Sequence, residues 1–463
     1  MSDSTSTTTS TEEATANRIS TGVTGIDDIL NGGLLPGRST LVRGPPGAGK
    51  TLFGLHYLAA GAQQGETGLF INLGEPEQHV REDAAAFGFD MNPIHFLDVR
   101  PAQESFGDEQ DIFPTGQVEG VRTAEDITTT IDDVDPDRIF IDPLTQFRDL
   151  VDEPAQFRKQ MMAFLRTLED TAVVYTSQAG RAEPDDDLQF LSDGVIELDT
   201  GGDHRTISVA KLRGSDFTAG THTLRITSDG MTVAPSIQPE AHERDFSRDT
   251  LSSGVPELDE LLQGGLDRGT TTLLTGPTGA GKTTTGLQFM KEAAGRGEQS
   301  VLYSFEEARK TLLDRSEAVN IPVQEMLTQG KLTLDVIDPQ TRSVDEFAQQ
   351  VRQHVEDDGV EIVMIDSVDG YQQNLLGTTD DMDSLFALGR YLRKMGVTTI
   401  WVNELHQVTG EFQATEKGAS KLADNIVFFR HIEFGGELRK VVGVLKQRTS
   451  DFEHTLRELR ITE

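Results

Sequence analysis

The chain has 463 residues, enough for two or three domains, and carries 77 acidic against 41 basic side chains, a formal net charge of −36. Without cysteine it forms no disulfide, thiolate metal site or cysteine nucleophile, and no apolar run reaches the ~18–20 residues that a bilayer span needs. Acidic residues spread along the whole chain suit solubility in high salt and disfavour nucleic acid as a partner, because neutralising phosphates needs a basic surface.

Taken in chain order, residues 1–17, "MSDSTSTTTSTEEATAN", lack the basic-then-apolar order of a secretory signal and read as a disordered Ser/Thr tail. A soluble, cytoplasmic protein is expected. "STLVRG" (39–44) reads as a strand running into "GPPGAGKT" (44–51), with a helix from about Thr51. "TGLFINLG" (67–74), "DRIFIDPL" (137–144), "TAVVYTSQ" (171–178) and "DGVIELD" (193–199) follow as short apolar strands. Residues 228–249, polar and broken by prolines, read as a linker. The order then recurs: "TTLLTG" (271–276) runs into "GPTGAGKT" (276–283), followed by "SVLYSFE", "EIVMID", "TTIWVNE" and "NIVFFR". Residues 21–51 align with 253–283 without a gap, and more than half the positions are identical. The expectation is an α/β chain of two tandem domains, 18–238 and 239–463, each a mostly parallel sheet flanked by helices.

Each G-x-x-x-x-G-K-T stretch has the spacing of a phosphate-binding loop. Its glycines let backbone N–H groups and a helix N-terminus face an anion. The candidate ATP-binding residues are Gly44, Pro45, Pro46, Gly47, Ala48, Gly49, Lys50 and Thr51 in the first copy. In the second they are Gly276, Pro277, Thr278, Gly279, Ala280, Gly281, Lys282 and Thr283. The lysines reach the outer phosphates, and the Thr51 and Thr283 hydroxyls reach Mg²⁺. Asp142 and Asp366, each closing an apolar strand, are the matching metal-site carboxylates, the alternative being caps of the next helix. Glu306 and Glu307 at a strand end are candidates to orient or deprotonate the attacking water. Alignment sets Glu307 on Glu75 but Glu306 on Gly74, so the copies are expected to be chemically unequal. Lys211 with Arg213, and Lys446 with Arg448, recur before Ser-Asp-Phe. They suit a basic finger reaching a nucleotide on a neighbouring subunit, or a surface ion-pair cluster.

Together the paired loops, the "GGL" lead-ins, the Glu-Glu element and "KLRG" (211–214) resemble the KaiC family of RecA-like ATPases in its double-domain form, from about residue 18 to the end. The resemblance implies two RecA-like domains, a two-tiered hexameric ring with ATP at subunit interfaces, signalling partners, and autokinase activity in the second tier. By the same resemblance Ser420 and Thr415 are candidate phosphosites. Lys421 stands where the cyanobacterial clock proteins carry a phosphorylated Thr, and "LRELRITE" ends the sequence where those proteins continue into a long regulatory tail. Given the acidic composition, an archaeal-type KaiC-like signalling ATPase fits better than a tail-regulated clock. The rival readings are a DNA recombinase or helicase of the same superfamily, working through loops 180–193 and 406–421, and an ATP-dependent scaffold with little turnover.

Overall fold

The computed structural model describes residues 18–99, 127–150, 154–178, 184–201, 204–376, 381–405, 423–448 and 452–461. It divides into two compact units that meet between Ser236 and Ile237.

In the first unit the strands are β1 (Ser39–Arg43), β2 (Gly68–Asn72), β3 (His95–Asp98), β4 (Arg138–Asp142), β5 (Ala172–Thr176), β6 (Gly194–Asp199), β7 (Arg205–Leu212), β8 (Thr221–Thr227) and β9 (Gly230–Ala234). They form one sheet in the order β3-β2-β4-β5-β1-β6-β7-β8-β9. The pairs from β3 to β6 are parallel and those from β6 to β9 antiparallel. The second unit pairs β10 (Thr250–Leu251) with β11 (Leu266–Asp267) as a separate ribbon. Its main sheet contains β12 (Thr271–Gly276), β13 (Ser300–Ser304), β14 (Leu332–Val336), β15 (Ile362–Asp366), β16 (Thr398–Glu404), β17 (Asn425–Phe434), β18 (Glu437–Gln447) and β19 (Arg457–Glu458). The order β14-β13-β15-β16-β12-β17-β18-β19 repeats the first eight positions of the nine-stranded first sheet, with no described counterpart of β9.

Continuous apolar runs form these strands because helices cover both faces of each sheet. Alternate residues serve opposite cores: Val42, Phe70, Phe140 and Val174 on one side, Leu41, Ile71, Ile141 and Val173 on the other. Leu274, Leu302 and Met364 against Leu273, Val301 and Ile365 repeat this in the second unit. The helices after the two loops, Lys50–Gln63 and Lys282–Gly295, lie on the strands that carry the aspartates. Gly54 and Gly286 permit the approach: a Cβ at Gly54 would meet the Phe140 ring at 2.0 Å, and one at Gly286 the Met364 Sδ at 2.6 Å. A helical glycine costs about 1 kcal/mol in propensity. Here it sets the helix N-terminus against the tip of the aspartate strand.

The linker expected over 228–249 is corrected. Gly230–Ala234 is strand β9, with Met231 and Val233 buried in the first core. Beyond Ser236 the chain packs on the second unit: Ile237 is buried there, Phe246 lies against Gly269 and Gly396, and His242 pairs with Glu356 at 3.1 Å. Two core residues in a strand of five do not stand out from a polar, proline-interrupted background, whereas the pairing of β9 with β8 buries them. Edge strands β3, β14 and β19 also went unread in the sequence, because short, half-exposed strands carry little apolar signal.

Candidate active sites

In both units the phosphate-binding loop leaves the C-terminal end of a central strand, β1 or β12, where the strand order switches direction and α/β sheets bind ligands. Gly44 and Gly276 turn the chain at φ +154° and +157°. A Cβ there would sit 2.2 Å from the Leu198 carbonyl oxygen and 2.6 Å from that of Phe429. At Gly47 and Gly279 the space is open, and φ of +77° and +71° is what calls for glycine.

Lys50 Nζ donates to the carbonyls of Gly44 and Pro45 at 2.8 and 3.0 Å. Lys282 Nζ does the same to Gly276 and Pro277 at 2.8 and 2.9 Å. Each ammonium is thus held inside its own loop, where burial lowers its pKa and nearby carboxylates oppose that shift. The next residue reaches the aspartate: Thr51 Oγ1 donates to Asp142 at 2.5 Å and Thr283 Oγ1 to Asp366 at 2.7 Å. Burial raises both carboxyls. Asp366 is pushed up to about 6, with the Glu306 charge adding to the effect. Asp142 is raised too, but a second hydroxyl, Thr176 Oγ1, also donates to it and supports its charged form. Val402 stands at the matching place in the second sheet. A half-buried hydroxyl and carboxylate beside a lysine held by loop carbonyls fit a phosphate-bound divalent cation: the hydroxyl–aspartate pair would hold Mg²⁺ and the lysine the outer phosphates.

The Glu-Glu element is split. Glu306 accepts a hydrogen bond from the Ser367 hydroxyl, next to Asp366. Glu307 turns to Arg315 on the following helix, at 2.9 Å. The sequence reading let the two share the orienting and base roles; in the structure Glu306 faces Ser367 beside Asp366 and Glu307 faces Arg315. Glu75, which aligns with Glu307, is exposed, and its carbonyl accepts Asn72 Nδ2 at 2.5 Å. In the first unit Gly74 and Pro143 replace the Glu306–Ser367 pair, and a Cβ on Gly74 would meet Pro143 Cδ at 3.3 Å.

The Lys-x-Arg elements lie at the opposite end of each sheet from that unit's own loop, because β7 and β18 run antiparallel to the central strands. Lys211 Nζ donates to the carbonyls of Gln189, Phe190 and Ser192, at 3.0, 3.3 and 2.5 Å, closing the helix Asp186–Leu191. Lys446 Nζ donates to Ala423 at 2.6 Å. The arginines are about half exposed, with Arg213 3.7 Å from Asp193 and Arg448 3.5 Å from Asp424. Within each unit, then, the lysine is tied to backbone carbonyls and the arginine is the more exposed member of the pair. Ser420, Thr415 and the loop over 406–421 lie outside the described residues.

Sequence reading missed Thr176, Ser367, Asp369 and Glu404 as site residues. Glu404 ends β16 opposite Gly276 and accepts a hydrogen bond from the Thr278 hydroxyl. Comparing "IDPLT" with "IDSVD" and "YTSQ" with "WVNE" across the two copies holds the signal.

A sequence model described as "ATPase: KaiC" matches residues 19–238 and again 251–463. The chain belongs to the KaiC family of ATPases. It is 28% identical to the circadian clock oscillator protein KaiC of Prochlorococcus marinus, covering 96% of this chain and 91% of that protein. It is 27% identical to the protein of the same name from Synechococcus elongatus, covering 96% of this chain and 88% of that one. The circadian clock oscillator protein KaiC 1 of Synechocystis is 28% identical, over the same shares. As a KaiC-family chain it carries two RecA-like repeats. No helix among the described residues is long and apolar enough to cross a membrane.

Proposed function

We propose that both loops bind ATP with Mg²⁺, and that the second domain carries most of the hydrolysis while the first serves mainly assembly. One observation carries this reading: Glu306, held by Ser367, stands beside the Thr283–Asp366 pair, where the first unit has Gly74 and Pro143. Bound Mg²⁺ supplies charge neutralisation and orientation of the phosphates. Lys282 holds the outer phosphates, Thr283 and Asp366 hold the metal, and Glu306 accepts the proton of the attacking water. Loss of such a base typically costs about 10²–10⁴-fold in rate. Steady-state turnover of Lys50→Ala and Lys282→Ala tests the assignment. Lys50→Ala should keep most of the activity and Lys282→Ala should lose it; the reverse result refutes it.

The same reading makes the protein a homo-oligomeric ring, a hexamer by likeness to the family, acting in signalling or circadian-like regulation with protein partners. Support comes from Arg213 and Arg448, which face away from their own loops and suit the nucleotide of a neighbouring copy. ATP bound only in the assembled state would favour assembly by mass action. Light scattering showing a monomer at micromolar protein and saturating ATP in high salt refutes the ring. We infer further that the second domain phosphorylates Ser420, with Thr415 the next acceptor. The stretch "TGEFQATEKGASK" (409–421) is rich in small and polar residues, which suits an acceptor segment that approaches a neighbour's ATP. Intact mass after ATP incubation that shows no added phosphate leaves a plain ATPase.

A further inference from the structure

The two sites differ in charge more than their near-identical loops suggest. Three carboxylates surround the second loop besides Asp366. Glu404 accepts from Thr278 within the loop, and Glu306 accepts from Ser367. Asp369 lies in the first turn of the helix Val368–Asn374 that follows Asp366. All three are close enough to act on the Lys282 ammonium. The strand register fixes their counterparts. Asn72 pairs with Asp142 as Ser304 pairs with Asp366, and Val42 pairs with Thr176 as Leu274 pairs with Val402. Gly74, Thr145 and Gln178 therefore occupy the places of Glu306, Asp369 and Glu404, and Pro46 that of Thr278. Every additional carboxylate of the second site is neutral in the first, where Asp142 is the charge acting on Lys50.

We propose, resting on the reading that both loops bind ATP, that Glu306, Asp369 and Glu404 make the second site accept nucleotide only together with a divalent cation, whereas the first site accepts it with or without one. The lysine, the threonine hydroxyl and the aspartate are common to both sites and cancel in the comparison. What remains is the repulsion between three carboxylates and an uncompensated polyphosphate. In a partly desolvated pocket each carboxylate costs about tenfold in affinity. A divalent cation on the phosphates cancels that repulsion. Thr278 also binds Glu404 to the loop itself, so this charge is held beside the place of the phosphates.

Equilibrium dialysis with labelled ATP tests this on the full chain at about 0.1 M salt, where screening acts over roughly 10 Å. Wild type should hold one nucleotide per chain in EDTA and two in MgCl₂. Lys50→Ala, which leaves the second site, should bind about 10²–10³-fold more weakly in EDTA than in MgCl₂. Lys282→Ala, which leaves the first, should change less than about fivefold. Glu306→Gln, Asp369→Asn and Glu404→Gln together, in the Lys50→Ala chain, should bring EDTA binding to within about tenfold of that in MgCl₂. Binding in MgCl₂ serves as the folding control for each variant. Full occupancy in MgCl₂ with equal losses at both sites in EDTA overturns this inference alone, as does a neutralised variant that depends on the cation as strongly as its parent. Failure of either site to hold ATP in MgCl₂ overturns the nucleotide reading and this inference with it.

Discussion

The first and second phosphate sites share a loop, a lysine, a threonine and an aspartate, yet they differ in nearly every group around that frame. Around Lys282 stand Glu306, Asp369 and Glu404; around Lys50 the matched residues are Gly74, Thr145 and Gln178. Two changes are coupled. Glu306 needs a donor and finds it in Ser367, whereas Pro143 offers none, and Gly74 leaves nothing to be held. The loop, lysine, threonine and aspartate are thus duplicated while the Glu306–Ser367 pair is not, and the proposed function makes that the difference between holding ATP and breaking it.

The largest effect that would break this comparison is on turnover. In the Lys50→Ala chain, Glu306→Gln should lower the rate constant by about 10²–10⁴-fold and leave nucleotide affinity in MgCl₂ nearly unchanged. A loss that appears in affinity alone would make Glu306 a binding group instead. Gly74→Glu in the Lys282→Ala chain sharpens the same point. It should raise first-site turnover less than about tenfold, because Pro143 gives the new carboxylate no hydroxyl to fix it. Adding Pro143→Ser should raise it further, as read by phosphate release.

A smaller effect concerns how each helix seats its loop. Gly54→Ala pushes a methyl into the Phe140 ring and should destabilise the first unit by about 2–3 kcal/mol in urea. Gly286→Ala meets the flexible end of Met364 and should cost about 1 kcal/mol. Equal costs would show that the two seats are not packed differently.

The smallest concerns the acid response of the first unit. His56 donates to the Gly22 carbonyl at 3.0 Å and accepts the Met231 amide at 2.7 Å, and His222 likewise accepts the Ser236 amide at 2.9 Å. Both are neutral and buried, and burial lowers both pKa values. The unfolded chain therefore takes up these protons first. Their contribution is complete above about pH 6.5 and is lost as pH falls towards the depressed folded values. Gln288 aligns with His56 in the second unit and does not titrate. Melting followed between pH 7 and pH 5 in His56→Gln should show a flatter acid response than wild type; identical slopes would remove His56 as a source.

Strand and loop order, the repeat, and the lysine–threonine–aspartate frame were legible in the sequence, because each is local. A glycine-rich turn needs its glycines in succession, and a strand buried on both faces needs an unbroken apolar run such as "RIFID" or "IVMID". The alignment of Gly74 with Glu306 was equally plain. Less legible was which member of a local pair faces the site. "FEEARK" does not say that Ser367, sixty residues on, takes one glutamate and Arg315 the other. Nor does "KLR" say that the lysine closes a helix while the arginine points outward.

What the sequence determined by itself, then, is what neighbouring residues decide together: family, fold class, two phosphate loops and the aspartates that close the neighbouring strands. Tertiary structure alone decided the charge of each site. Glu306, Asp369 and Glu404 come from three separate strand ends and meet only because β13, β15 and β16 lie side by side with their C-terminal ends next to that of β12. Electrostatic coupling depends on distance through space, and the sheet's strand order, not the chain's, sets that distance.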